Sequence, residues 1–264
     1  MLDDIMIGQY IERDSVVHKS DPRTKILVVM LFIITVFLIN TFSGYFILAG
    51  FICLAAMISK INLNLIIKSI KPLTFIILFT LVIHLFMTRG GEVLWQWRFL
   101  RIEEEGLRLG LFMILRLIFL ITFTSLLTLT TSPLELTDGL ERLLNPFKRI
   151  GVPAHELAMM MTIALRFIPT LLEEAQKIMN AQKARGADFE SGNLIKKAKS
   201  LIPLLVPLFI NAFRRADDLA LAMESRCYRG GENRTRMNVL VLSTRDYLIM
   251  AISLIYLGLV AILL

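Results

Sequence analysis

A chain of 264 residues, 56% hydrophobic and only 19% charged, with a mean hydropathy of +0.67, is too apolar for an ordinary soluble domain, where about half the residues are apolar and about a quarter charged. Its net charge of +7 does not point to nucleic acid, because no basic run is interleaved with stacking aromatics; the lysines and arginines gather beside apolar stretches, as in a membrane protein with basic cytoplasmic loops. Two distant cysteines, Cys53 and Cys227, and three scattered histidines, His18, His84 and His155, provide neither a disulfide framework nor a metal-ligand spacing.

Residues 1–25 are polar and end in Asp21-Pro22-Arg23-Thr24-Lys25, where Asp21 is placed to cap a helix and Pro22 to open it. Such a lead does not resemble a cleavable signal peptide, so the apolar run from Ile26 to Asn40 is expected to be a true span. Thr41-Phe42-Ser43-Gly44 reads as a turn and Tyr45 to Ser59 as a second span, both short for ~30 Å of hydrocarbon at about 1.5 Å per residue. Lys60, Lys68 and Lys71 form a basic connection to a third span, Pro72 to Met87. The loop 89–105 holds Trp95 and Trp97, suited to the membrane interface, and the acidic run Glu103-Glu104-Glu105, with Arg89, Arg98 and Arg101 as a mild counter-signal. A fourth span runs from Gly106 to Thr130, and Arg116 lies about ten residues into it, roughly 15 Å along the helix. Arg108 falls on nearly the same face. Either these two arginines make an interhelix or partner-protein contact at the membrane, or the helix enters the bilayer later and both snorkel outward.

Ser132-Pro133-Leu134-Glu135 is a capping box with proline at the first helical position, opening a short amphipathic helix through Leu136, Leu140, Leu143 and Leu144 to a stop at Asn145-Pro146. Two long amphipathic helices follow. Leu157, Met161, Ala164, Ile168, Leu171, Ala175 and Ile178 form the apolar stripe of the first, and Leu201, Leu205, Leu208, Ala212, Ala216, Leu219 and Met223 that of the second. Arg166 and Pro169 in one, and Pro203 and Pro207 in the other, favour interfacial or buried helices kinked at their prolines over further spans. A basic segment around Arg234, Arg236 and Arg245 leads into a last span, Tyr247 to Leu264. Residues 132–246 hold 17 Lys and Arg against 3 in the 89–105 loop, which predicts a cytoplasmic N-terminus and middle region and an outward C-terminus. The expected protein is an all-α integral membrane protein of about five transmembrane helices, multi-pass in the cell membrane. Four spans lie in 1–131, one short and two long coupling helices in 132–245, and the last span in 246–264.

Each long helix closes on a matched phrase, Ala181-Gln-Lys-Ala-Arg-Gly186 and Ala222-Met-Glu-Ser-Arg-Cys227, placing Arg185 and Arg226 41 positions apart. One reading is plain capping: a cation at the negative end of the helix dipole, followed by a left-handed glycine, Gly186 in one case and Gly230 or Gly231 in the other. The other is that two matched tips serve two matched sockets, because capping alone does not require the repeated wording. The run Met159-Met160-Met161 reads either as core filler or as an adaptable contact surface.

Across nearly its whole length the chain resembles the EcfT (CbiQ/BioN) family, the transmembrane coupling component of energy-coupling factor transporters, a branch of ABC transporters for vitamins and metal ions. The resemblance rests on Gly8-Gln-Tyr10 with Ser15, His18 and Asp21-Pro-Arg23, on Leu136-Thr-Asp-Gly-Leu-Glu141, on Ala164-Leu-Arg-Phe-Ile-Pro169, and above all on the two arginine tips. It implies that Ala184, Arg185, Gly186, Ser225, Arg226 and Cys227 dock on two ABC-type ATPase subunits, that a separate substrate-binding integral membrane component is held at the membrane, and that ATP is bound by the partners, so this chain carries no cofactor. The second tip departs from Ala-Arg-Gly wording, and Tyr228-Arg229-Gly230 is a nearby alternative; position within the repeat favours Arg226. The residues themselves agree with an energy-passing role, since there is no phosphate-binding loop and no nucleophile with a nearby base. A self-contained channel or secondary carrier is the alternative. It calls for several intramembrane charges or inverted repeats, which the sequence does not display.

Overall fold

The computed structural model describes residues 10–97, 100–189, 193–231 and 240–263. Gly8, Gln9, Arg98, Arg234, Arg236 and Leu264 fall outside the described residues, as do the side chains of Trp95, Trp97 and Arg101. The chain divides into two compact units: residues 8–140 with 240–264, and residues 141–239.

The first unit opens on α1 (Pro22–Leu38), started as expected: the Asp21 carboxylate accepts from the Arg23 amide at 2.9 Å and Pro22 occupies the first turn. α2 (Phe42–Ser59) ends on Lys60 in the left-handed region, φ 54°. The third span begins earlier than expected. α3 (Leu63–Ile70), capped by Asn62, runs through a tight turn at Lys71–Leu73 into α4 (Thr74–Met87), so Pro72 sits at a narrowing of the helix and not at its start. The 89–105 loop holds a hairpin absent from the sequence reading, β1 (Val93–Trp97) against β2 (Leu100–Glu103), paired from Trp97↔Leu100 back to Val93↔Glu103 with one irregularity. Val, Leu, Trp and Ile suit strands, and Gly90 and Gly91, at φ 148° and 81°, supply the turn that enters them. α5 (Glu104–Thr130) is the longest helix of the unit, and α10 (Thr244–Leu263) keeps its charged residues, Arg245 and Asp246, in its first turn.

Side chains from α1, α2, α5 and α10 share one core. Phe32, Val36, Tyr45, Leu48 and Leu257 are fully buried, Phe32 stacks on Phe123 at 4.2 Å, and Phe51 stacks on Tyr256, whose hydroxyl donates to the Ile47 carbonyl at 2.8 Å. α4 reaches α5 through small residues: a Cβ on Gly106 would lie 2.9 Å from the His84 carbonyl, and one on Gly110 would lie 3.2 Å from Leu81. This is the close backbone approach that glycines four apart permit in a bilayer.

The polar residues at the foot of the unit form a network. Lys25 Nζ donates to the carbonyls of His18 (3.2 Å) and of Thr130 (3.0 Å), placing a cation at the carboxyl end of α5. Asp246 accepts from the Asp21 amide and from both donors of Ser243, each at 2.8 Å, and Arg23 donates to the Leu240 carbonyl at 2.7 Å. His18 bridges Ser15 Oγ (2.7 Å) and the Ile11 carbonyl (3.1 Å), which puts the proton of the neutral ring on Nε2. Burial, with the charges of Lys25 and Arg13, holds the imidazole below its ordinary range, against the opposing pull of the Ile11 bond. Ser15, His18, Asp21 and Arg23, conspicuous in the sequence as an N-terminal motif, thus tie the start of α1 to the end of α5 and the start of α10.

α6 (Pro133–Leu144) begins with the expected box: Glu135 N donates to Ser132 Oγ at 3.3 Å, and Ser132 N donates to the Glu135 carboxylate at 3.1 Å. Its Gly139 meets Pro22 at 3.1 Å from where a Cβ would stand. In the second unit a tight helical turn, Asn145–Ile150, leads to α7 (Ala154–Ala184), α8 (Leu194–Ser200) and α9 (Ile202–Ser225), with Pro169 and Pro207 inside helices that continue past them.

Four described helical stretches are long and apolar enough to cross a membrane: Phe42–Ser59, Asn64–Met87, Glu104–Thr130 and Ala154–Ala184. The last is the helix expected to be interfacial or buried. Its best window has a mean hydropathy of 1.2, the lowest of the four, reached because the Met159–Met161 run and its Leu and Ile neighbours outweigh the two charges of Glu156 and Arg166. α1, at 17 residues, is about 25 Å long and short for the hydrocarbon.

Candidate functional site

α7 and α9 are built as a pair, and their side-chain bonds give its direction. Gln182 Nε2 donates to the Pro203 carbonyl at 3.4 Å, and eight residues back along α7 Glu174 accepts from Asn211, eight residues onward along α9. The helices therefore run antiparallel, and their carboxyl ends point away from each other. Arg215 also meets Glu174, at 3.0 Å. Beyond the end of α9, Gly231 lies against the ring of His155, which pairs with Glu141 at 3.0 Å, so the chain leaving the second tip returns to the start of α7.

The two tips have the same backbone. Arg185 follows the last residue of α7; the Gly186 amide donates to the Lys183 carbonyl at 2.9 Å and the Ala187 amide to Gln182 at 3.0 Å. Arg226 follows the last residue of α9; the Cys227 amide donates to Glu224 at 2.8 Å and the Tyr228 amide to Met223 at 3.0 Å. Each is a Schellman closure, with a left-handed residue immediately after the arginine. That residue is Gly186 at φ 86° in one tip and Cys227 at φ 57° in the other. The expectation that Gly230 or Gly231 caps the second helix is corrected here: Gly230 is left-handed too, at φ 85°, but it lies three residues beyond the closure. Cysteine holds the position because the two crossing hydrogen bonds outweigh a penalty of about 1–2 kcal/mol.

Ala184, Arg185, Gly186, Ser225, Arg226 and Cys227 are all exposed. Among the described residues neither guanidinium has an ion pair or hydrogen-bond partner. Two unpaired planar cations, each on a rigid closed helix end, suit recognition of carboxylates or carbonyls on another protein, where the fork makes two charge-assisted bonds. Arg229 is also exposed, three residues past Arg226 and outside the closure.

The apolar stripe read from the sequence is inward-facing only in part. Ile168, Leu171, Ala175 and Ile178 are covered, whereas Leu157 and Met161 are exposed, as are Leu201 and Leu205 of α9. Met160 and Met161 are about half exposed (55% and 45%), so two of the three clustered methionines are not core filler within this chain.

Arg116 is held inside its own unit. It donates to the Ile39 carbonyl at 3.3 Å and the Asn40 side chain at 3.4 Å and lies over the Phe37 ring at 5.1 Å, filling the carboxyl end of α1 where the helix has no basic residue of its own. Arg108 is exposed and lies over the Phe112 ring, at 5.6 Å. The structure does not bring them together. Among the described residues no cluster of metal-ligating side chains is present.

Residues 13–237 match the family described as CbiQ, cobalt transport protein. Energy-coupling factor transporter transmembrane protein EcfT of Clostridium kluyveri is 58% identical over 249 residues, covering 94% of this chain and 92% of its own. The proteins of the same name from Acidaminococcus fermentans and Bacillus subtilis are 60% and 48% identical, the first covering 94% of this chain and 92% of its own, the second 93% of each. With these matches spanning the apolar helices and both arginine tips, the chain belongs to the CbiQ family, as a transmembrane component of an energy-coupling factor transporter.

Proposed function

We propose that this protein couples ATP hydrolysis by two ABC-type ATPase subunits to the uptake of a vitamin or metal ion bound by a separate integral membrane component, with its N-terminus and the 132–245 region on the cytoplasmic side of the cell membrane. The observation that carries this reading is the pair of identically closed tips at opposite ends of one antiparallel helix pair, each offering an exposed, unpaired arginine. Each tip meets one ATPase subunit, with Ala184 and Gly186, or Ser225 and Cys227, flanking the guanidinium. The exposed apolar side chains of α7 and α9, among them Met160, Phe209 and Phe213, support a contact for the substrate-binding component, since a bare apolar surface of this extent marks lipid or partner contact. ATP is held by the partners, and this chain transmits motion without catalysing a reaction.

The test is charge reversal. A buried, bonded arginine loses about 2 to 5 kcal/mol of association when its pairing is broken, whereas a mere helix cap loses about 0.3 to 1 kcal/mol of helix stability and no partner. Arg185→Glu with Arg226→Glu is expected to leave the chain folded in the membrane while abolishing co-purification of the ATPases. Arg229→Glu, outside the closure, is expected to be milder than Arg226→Glu. Retention of both ATPases by the double variant would reduce the two arginines to caps.

A further inference from the structure

Displacing α9 by 41 residues aligns Arg226 with Arg185, and the same displacement aligns Arg215 with Glu174. These two aligned residues are also the ones that touch, at 3.0 Å. In an antiparallel pair of equivalent helices a local two-fold axis passes through the crossing, and there a position meets its own equivalent. Like charges at that point would repel. It is the one place where the two helices must differ, and here the difference is Glu on α7 and Arg on α9, with Asn211 donating to the second carboxylate oxygen. Arg185 lies eleven residues beyond Glu174, and Arg226 eleven beyond Arg215, about 16 Å of helix in each case.

Apart from the Gln182–Pro203 bond and the partly covered Ile168, Leu171 and Ile178, little else sets the register. Among the described residues α7 buries only Ala154, Ala158 and Ala175, and α9 only Leu204. A slip of one helix along the other by one turn would change the separation of the two tips by about 5 Å.

We propose that the Glu174–Arg215 pair, with Asn211, is the axis contact that fixes the register of the two helices and with it the separation of the two tips, so that two sockets of set spacing are met by the two arginines. Glu174 and Arg215 are positioning residues. The proposal rests on the tips being docking points, and its test separates the two.

Spin labels at Ala181 and Ala222, exposed and equivalent under the 41-residue displacement, are placed in a chain lacking Cys53 and Cys227, held in lipid nanodiscs, and the distance between them is measured by pulsed electron resonance. The parent is expected to give one narrow distribution. Glu174→Arg, facing Arg215, is expected to broaden it or shift it by about 5 Å, one helical turn, and Glu174→Arg with Arg215→Glu to restore it. Helix content by circular dichroism controls for misfolding, and the swapped pair keeps the test decisive even if the single variant unfolds. In the assembled transporter, without spin labels, Glu174→Arg is expected to lower the number of ATPase subunits retained per chain from two toward one, and the swap to recover it. A distribution unmoved by Glu174→Arg, or a swap that fails to restore it, overturns the axis contact. Displaced tips with both ATPases fully retained overturn the tip-docking reading and, with it, the positioning role.

Discussion

Cys227, like Lys60, carries a residue-scale backbone cost. At φ 57° it occupies the place that Gly186 fills in the other tip, at φ 86°, and a side chain there costs about 1–2 kcal/mol relative to glycine. Glycine in turn loosens the unfolded chain by about 0.4–1 kcal/mol, so Cys227→Gly is expected to stabilise by a net ~0.5–1 kcal/mol. Gly186→Ala should destabilise by a similar amount, since open space around Gly186 leaves backbone strain as the only penalty. Thermal unfolding of the purified protein in detergent checks both, and a lower melting temperature for Cys227→Gly would contradict the closure. The arginine tips were legible in the sequence because the wording repeats. The exact cap of the second was not, because glycine propensity points to Gly230 and Gly231, whereas the hydrogen-bond closure selects the residue directly after Arg226, and Gly231 serves to approach His155. Glu174, Asn211 and Arg215 were invisible as a cluster: nothing in periodicity says which polar residues of two helices will meet.

The apolar helices followed from their runs, and two of their starts from local chemistry, Asp21-Pro22 for α1 and the Ser132–Glu135 box for α6. Where one element's identity depends on another, the sequence was less informative. The hairpin at Val93–Glu103 is too short for its alternation to stand out, and the α7 stripe was misplaced toward Leu157 and Met161 because apolar residues nearly encircle that half of the helix. An encircled helix has no single buried face, so periodicity cannot select one. The packing of α4 on α5 has a sharper determinant. Gly106 and Gly110 face backbone and side-chain atoms at 2.9 and 3.2 Å from where a Cβ would stand. Gly106→Leu is expected to force the helices apart, because the nearest atom is the His84 carbonyl and cannot turn aside, while Gly110→Ala asks only Leu81 to move. The expected loss is about 1–3 kcal/mol for the first, the range for overpacking, and under about 1 kcal/mol for the second. Guanidinium-free unfolding in graded mixed micelles, followed by helix circular dichroism, ranks them; equal effects would show that the two helices are not held by this contact.

Hydropathy and charge asymmetry told at once that the whole molecule is a membrane component with a basic central region, and those are properties that survive any error in element boundaries. The proposed role in energy transfer is a matter of what the chain does by itself and with others. The half-buried Arg116 is held by the end of α1, and the buried Lys25 at the foot of the core by two carbonyls, so neither charge is left to line a conducting path, as a channel or secondary carrier needs. Purified and reconstituted alone in liposomes, the protein is therefore expected to show ATP hydrolysis no faster than empty liposomes and no accumulation of Co2+ or of a labelled vitamin under an imposed ion gradient. Adding the two ATPase subunits and the substrate-binding component should create both activities together, and Arg185→Glu with Arg226→Glu should remove uptake again while leaving the ATPase subunits able to hydrolyse ATP by themselves. Gradient-driven uptake by the lone chain would assign the translocation path to its own helices and make the arginine tips incidental to transport.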